Sequence, residues 1–148
     1  MTDQGFEILE HTADLRIKAW GKTKEELFKN ALRGMAYVQK EEARIKKQES
    51  RITKKVQVKS TDMTALLIDF LSEVLTQSQI NRVVFFDANF KAFSDTPSAD
   101  SGQVELEAEI EGIKVDEFDE DIKAVTYHEA EVKQNPEGVY ETKIVFDI

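Results

Sequence analysis

The sequence predicts an α+β domain in which two helices pack on one face of a largely antiparallel sheet. Three observations carry that prediction. Met63, Leu66, Leu67, Phe70, Leu71, Val74 and Leu75 recur at helical spacing and define one apolar stripe. Leu27, Phe28, Ala31, Leu32 and Met35 define a second, shorter one. Much of the remaining chain alternates between apolar and polar residues, most clearly where Val104, Leu106, Ala108 and Ile110 interleave with Glu105, Glu107 and Glu109. A chain of 148 residues with 41% apolar content suffices for one domain, spanning residues 1–148, around a single core.

Taken in order, Phe6-Glu7-Ile8 and Leu15 to Trp20 read as strands, with Gly21 closing the second. Thr23-Lys24-Glu25-Glu26 has the form of a capping box and starts the first helix, which is expected to fray beyond Tyr37-Val38. Residues 39–51 are highly charged, lack an apolar face and read as a connection. Ile52 to Val58 alternates again, with Lys54 as the flaw, and Thr61 or Asp62 caps the second helix. Arg82 to Ala92 reads as a strand. Residues 94–102 form a loop by their breaker content, and Gly112 is expected to end the strand that follows. After the acidic loop 116–121, Lys123 to Val132 and Val139 to Phe146 form a strand pair joined through Asn135-Pro136-Glu137-Gly138.

The net charge of −9 is unevenly spread: residues 1–60 carry 14 Lys and Arg against 9 Asp and Glu, whereas residues 61–148 carry 6 against 20. This acidic balance argues against a sequence-independent grip on phosphates, which needs a basic stripe. A protein of this charge working near RNA is expected to touch a second protein that holds the RNA. With no cysteine, disulfides and thiolate zinc sites are excluded. The N-terminal residues do not resemble a signal peptide and no apolar run is long enough for a membrane span, so the expected location is the cytoplasm.

Candidate chemistry gathers at the two ends of the sequence. If the strand that delivers Asp147 and Ile148 lies beside the one that follows Asp14, two side-chain carboxylates and a main-chain carboxylate meet, a donor set suited to a hard cation. His11 and His128 are the only histidines, and Lys123 opens the segment that contains His128. On an ideal strand Lys123 and His128 face opposite ways unless a bulge intervenes. Taken singly, Asp14 reads as a turn former, Lys123 as a solvated edge charge and His128 as a hydrogen-bonded, half-buried residue. No phosphate loop, nucleophile elbow, HExxH motif or EF-hand loop is present.

Four features together resemble the archease family: His11-Thr12-Ala13-Asp14 with Gly21 beyond it; Leu66-Leu67 followed by Phe70-Leu71-Ser72-Glu73-Val74-Leu75; Ile122-Lys123-Ala124-Val125-Thr126-Tyr127-His128; and the closing Asp147-Ile148. They span nearly the whole chain. The resemblance implies a strand-helix-strand-strand module carrying an inserted copy of itself. It implies a protein that is not itself an enzyme but a cofactor of the RNA-splicing ligase, which joins 2′,3′-cyclic-phosphate or 3′-phosphate ends to 5′-hydroxyl ends. Such a cofactor promotes ligase guanylylation and multiple turnover in tRNA splicing and meets RNA only through the ligase. It further implies a divalent cation, calcium first and magnesium or manganese next, held by Asp14, Asp147 and the main-chain oxygen of Ile148, with His11, Lys123 and His128 as partner-facing residues.

One departure from the family pattern concerns the site. Arg16 stands where many members have glycine, and on an ideal strand it faces the same way as Asp14, so it is placed to pair with the acids and weaken cation binding. Two other functions compete with the cofactor reading. One is a stand-alone metal-dependent phosphoesterase built on His11, His128 and the two aspartates, which needs a general base within ~3 Å of the reacting water. The other is a chaperone-like binding module whose metal is purely structural.

Overall fold

The computed structural model describes residues 4–9, 14–43 and 50–148. Its elements are β1 (Phe6–Leu9), β2 (Leu15–Gly21), α1 (Lys24–Gln39), β3 (Ile52–Ser60), α2 (Met63–Asn81), β4 (Val83–Ser94), β5 (Val104–Lys114), β6 (Ala124–Thr126), β7 (Lys133–Gln134) and β8 (Tyr140–Asp147). All strand pairings are antiparallel. In place of the expected single sheet there are two. One runs β1-β2-β8-β6 with β7 also on β8, and the other runs β3-β5-β4. The division follows from partner choice: β8 is paired on both sides within its own sheet, and the strands between the helices and β6 find their partners among themselves.

The two sheets repeat one plan. In β2-α1-β6-β8 and in β3-α2-β4-β5, the third strand of the unit lies between the first and the second. The second unit is inserted between α1 and β6 of the first, which is the inserted copy that the family resemblance implies. Each helix also crosses to the other unit. α1 rests on β2 and on β4, and α2 rests on β3 and on β6. The buried rows of the helices therefore share one core, in which Phe28, Phe70, Phe90 and Phe93 form a connected aromatic group. Gln39 and Ser78, which occupy matching places in the two helices, meet there, the Gln39 amide donating to Ser78 Oγ at 3.0 Å.

Local chemistry starts the helices where expected. Thr23 Oγ1 accepts the Glu26 N–H at 3.1 Å, and Asp62 Oδ1 accepts the Ala65 N–H at 2.8 Å. Both helices run past the expected stripes, to Gln39 and to Asn81, and α2 stops at Arg82, which takes a left-handed conformation (φ 52°). Gly21 is required where β2 turns into α1, because a Cβ there would lie 2.4 Å from the Leu27 nitrogen.

Two strand limits differ from the sequence reading. Gly112 does not end β5, which runs on to Lys114. The glycine instead lets β5 pass close to β4, where a Cβ would sit 2.1 Å from the Val84 carbonyl oxygen. Nor is Lys123 to Val132 one strand. β6 stops at Thr126, a turn follows, and only Lys133–Gln134 resumes pairing with β8. Among the described residues no helix is long and apolar enough to cross a membrane.

Candidate metal centre

β8 is the central strand of its sheet, and its last residues are sandwiched between the start of β2 and the start of β6. Leu15 pairs with Phe146 on one side, and Ala124 pairs with Asp147 on the other. The register therefore sets Asp14, one residue before Leu15, beside Asp147, one residue after Phe146. Lys123 is tied to the same place, since its backbone N–H donates to the Asp147 carbonyl at 2.7 Å. The core anchors this end: Phe146 and Ile144 are fully buried, while Asp147 is exposed and Ile148 is half-buried against the core. Alternation along β8 thus turns the apolar side chains inward and leaves the acid at the surface.

Arg16 does pair with Asp14. Its Nε lies 3.1 Å from Asp14 Oδ1. The same guanidinium reaches across to Glu129, with Nη1 at 3.2 Å from one carboxylate oxygen and 3.3 Å from the other. One cation is therefore shared by two acids that lie 115 positions apart in sequence and meet only through folding, so no sequence spacing signals the contact. 

Glu129 therefore borders the candidate site through Arg16, and the sequence reading missed it.

The segment that carries Glu129 is fixed at several points. Glu129 itself is left-handed (φ 63°), a conformation uncommon for a residue with a side chain, and the Ala130 N–H closes the turn onto the Tyr127 carbonyl at 3.1 Å. The Glu131 N–H donates to Thr142 Oγ1 at 3.1 Å, and the Val132 N–H donates to Thr64 Oγ1 at 2.9 Å. The Tyr127 hydroxyl donates to Asp69 Oδ1, while Ser60 Oγ donates to Asp69 Oδ2 at 2.6 Å. The Asp69 carboxylate stabilises the protonated phenol, and with a smaller contribution from burial this pushes the Tyr127 pKa up to about 12. Helix α2 of the inserted unit therefore holds the segment on which His128 and Glu129 sit.

The structure brings Asp14, Asp147, Ile148 and Lys123 to one end of the first sheet. His128 lies on the exposed turn after β6, with Nε2 4.0 Å from Glu129 Oε1. The turn supplies the break in alternation that Lys123 and His128 would need in order to face the same way. His11 lies outside the described residues. Among the described residues no three His, Asp or Glu side chains converge as a metal-holding group. The candidate centre instead combines two side-chain carboxylates with a main-chain oxygen. All of its donors are oxygens, which fits calcium, magnesium or manganese better than a softer metal.

The chain is similar to known proteins over nearly its whole length. The model of the Archease protein family (MTH1598/TM1083) matches residues 6–148. A protein archease of Methanosarcina barkeri is 34% identical over the whole of both chains. One of Pyrococcus furiosus is 31% identical, with 97% of this chain and 98% of that protein covered. Among solved structures, the solution structure of Methanobacterium thermoautotrophicum protein 1598 superposes with a TM-score of 0.76 at 25% identity, covering 98% of this chain and 99% of that one. The crystal structure of an archease, possible chaperone, from Thermotoga maritima gives 0.58 at 20% identity, covering 95% and 94%, and so supports the fold alone.

Proposed function

The chain belongs to the archease family, and from that premise we propose that it is a cation-binding protein cofactor of an RNA-splicing ligase. In this reading it works in the cytoplasm, is not an enzyme, and promotes guanylylation and repeated turnover of the ligase that joins 2′,3′-cyclic-phosphate or 3′-phosphate RNA ends to 5′-hydroxyl ends in tRNA splicing. The observation that carries the reading is the register that sets Asp14 beside Asp147 at an open end of the sheet.

Asp14, Asp147 and the main-chain oxygen of Ile148 would hold the cation, with calcium favoured and magnesium or manganese next. A bound divalent ion would supply a centre of positive charge, with its remaining positions open to water or to an oxygen of the partner. The chain's own residues do the rest. The core behind Phe146 keeps the acids at a fixed place, and the Lys123 N–H holds the Asp147 main chain while the Lys123 side chain stays exposed, free to meet a nucleotide phosphate or an acidic residue of the ligase. Net negative charge favours contact with the protein partner and leaves RNA to the ligase.

A chaperone-like module with a structural cation is one alternative; equal ligase stimulation with and without chelator, together with a lower melting temperature on chelation, would favour it. A stand-alone phosphoesterase built on His11, His128 and the two aspartates is the other; turnover of phosphoesters by the purified protein alone, abolished by chelator, would favour it. The deciding experiment is guanylylation of the cognate ligase with this protein, with Asp14→Ala and with Asp147→Ala. The cofactor reading expects strong stimulation by the unaltered protein and little by either variant. Full stimulation by a folded Asp147→Ala protein would reject it.

A further inference from the structure

Resting on the cation-site reading, we propose that Glu129 is a positioning residue for that site, acting through Arg16. The Arg16 guanidinium already neutralises Asp14, so it stands where part of an incoming ion's charge would act. An isolated Arg16–Asp14 pair would compete with the ion throughout. Glu129 changes this, because it offers the same guanidinium a second carboxylate from the turn after β6. When a cation takes Asp14, Arg16 keeps a partner and is not stranded near a like charge. Glu129 thereby lowers the cost of exchanging the guanidinium for the ion.

Two further features support a dedicated role. Glu129 holds a left-handed backbone conformation, and such positions persist where the surroundings over-determine them. Its surroundings do so here: the contacts of Tyr127, Glu131 and Val132 to Asp69, Thr142 and Thr64 fix the segment on both sides of it. Arginine suits the exchange, since its planar fork can face two carboxylates at once whereas a lysine ammonium would sit on one. The three side chains are each about one-third exposed (34% for Asp14, 34% for Arg16, 35% for Glu129), so the effect on affinity is moderate.

The test is a double-mutant cycle read by calcium titration calorimetry on folded proteins: unaltered, Arg16→Ala, Glu129→Gln, the double variant, and Asp147→Ala as reference. Removing Arg16 is expected to tighten calcium binding about fivefold. Glu129→Gln is expected to weaken it about fivefold when Arg16 is present and less than about twofold when Arg16 is absent. Equal weakening in both backgrounds would make Glu129 a direct ligand and overturn the proposal. So would no change on Glu129→Gln, or no gain on Arg16→Ala. If the unaltered protein binds no calcium, or Asp147→Ala binds it equally well, the site reading itself fails and the proposal falls with it. Failure of the Arg16 and Glu129 arms alone leaves the site reading standing.

Discussion

The two units of the fold share a plan but treat the same end of their sheets differently. Gly21 pairs with Tyr140 two residues before the Thr23 cap, and Ser60 pairs with Val104 two residues before the Asp62 cap. Following the ladders from those anchors, Leu15 opposite Phe146 matches Lys54 opposite Ile110, and Asp14 and Asp147 match Thr53 and Glu111. The second unit thus has one acid where the first has two. That acid is matched at once by a cation, Arg51 Nη1 lying 2.6 Å from Glu111 Oε1 and the guanidinium also standing over the Phe86 ring. In the first unit Asp147 lies at the open end of the sheet and Asp14 shares Arg16 with Glu129. The acid pair is therefore a property of the first unit's sequence and is not imposed by the fold.

The largest effect is expected in the shared core. Phe70 is fully buried and its counterpart in α1 is Ala31, so Phe70→Ala should cost about 3–5 kcal/mol by denaturant unfolding, against about 1 kcal/mol for Ala31→Gly. A loss below about 1 kcal/mol at Phe70 would mean that the two helices do not share one core. Second, saturating calcium, if in a hundredfold excess over its dissociation constant, should add about 2.7 kcal/mol to the stability of the unaltered protein. Glu111→Ala should keep that gain and Asp147→Ala should lose it, as read by the calcium-dependent shift in melting temperature.

Third, the two caps are equivalent in role, and Thr23→Ala and Asp62→Ala should each remove about 1 kcal/mol in equilibrium unfolding. A large inequality would show that one helix leans on its cap and the other on packing. The smallest effect concerns Tyr127. Its phenol pKa is raised from 10.0 to about 12, so the contact with Asp69 contributes fully below the ordinary value and is lost as pH climbs through the folded one. Asp69→Ala should bring the titration back toward the ordinary value, followed by NMR of the Tyr127 ring. Because Tyr127 is 58% exposed, little change in global stability should accompany it.

Much of the fold was legible in the chain because its signals are local. The caps at Thr23 and Asp62, the stripes of α1 and α2, the alternation of β5 and the turn at Asn135 to Gly138 each follow from neighbouring residues. The division into two sheets was not legible, since it depends on which distant strands pair. The break after Thr126 was also hidden: Ala124 to Thr126 gives no local stop signal, and the contacts of Tyr127 and Val132 with Asp69 and Thr64 on α2, which accompany the turn, come from a distant part of the sequence. At the candidate site, the approach of Asp14 to Asp147 could be anticipated from two strands with acids at their ends. The pairing of Arg16 with Asp14 followed from their being two apart on one strand. Glu129 could not be anticipated, because its link to Arg16 runs through a left-handed turn that no apolar pattern marks.

The first unit's acids are proposed to hold a cation, and the second unit's acid is not. Calcium titration calorimetry on the unaltered protein, Asp147→Ala and Glu111→Ala tests it most directly. One site is expected in the unaltered and Glu111→Ala proteins and none in Asp147→Ala. Retained binding by Asp147→Ala, or loss of binding in Glu111→Ala, would overturn that assignment.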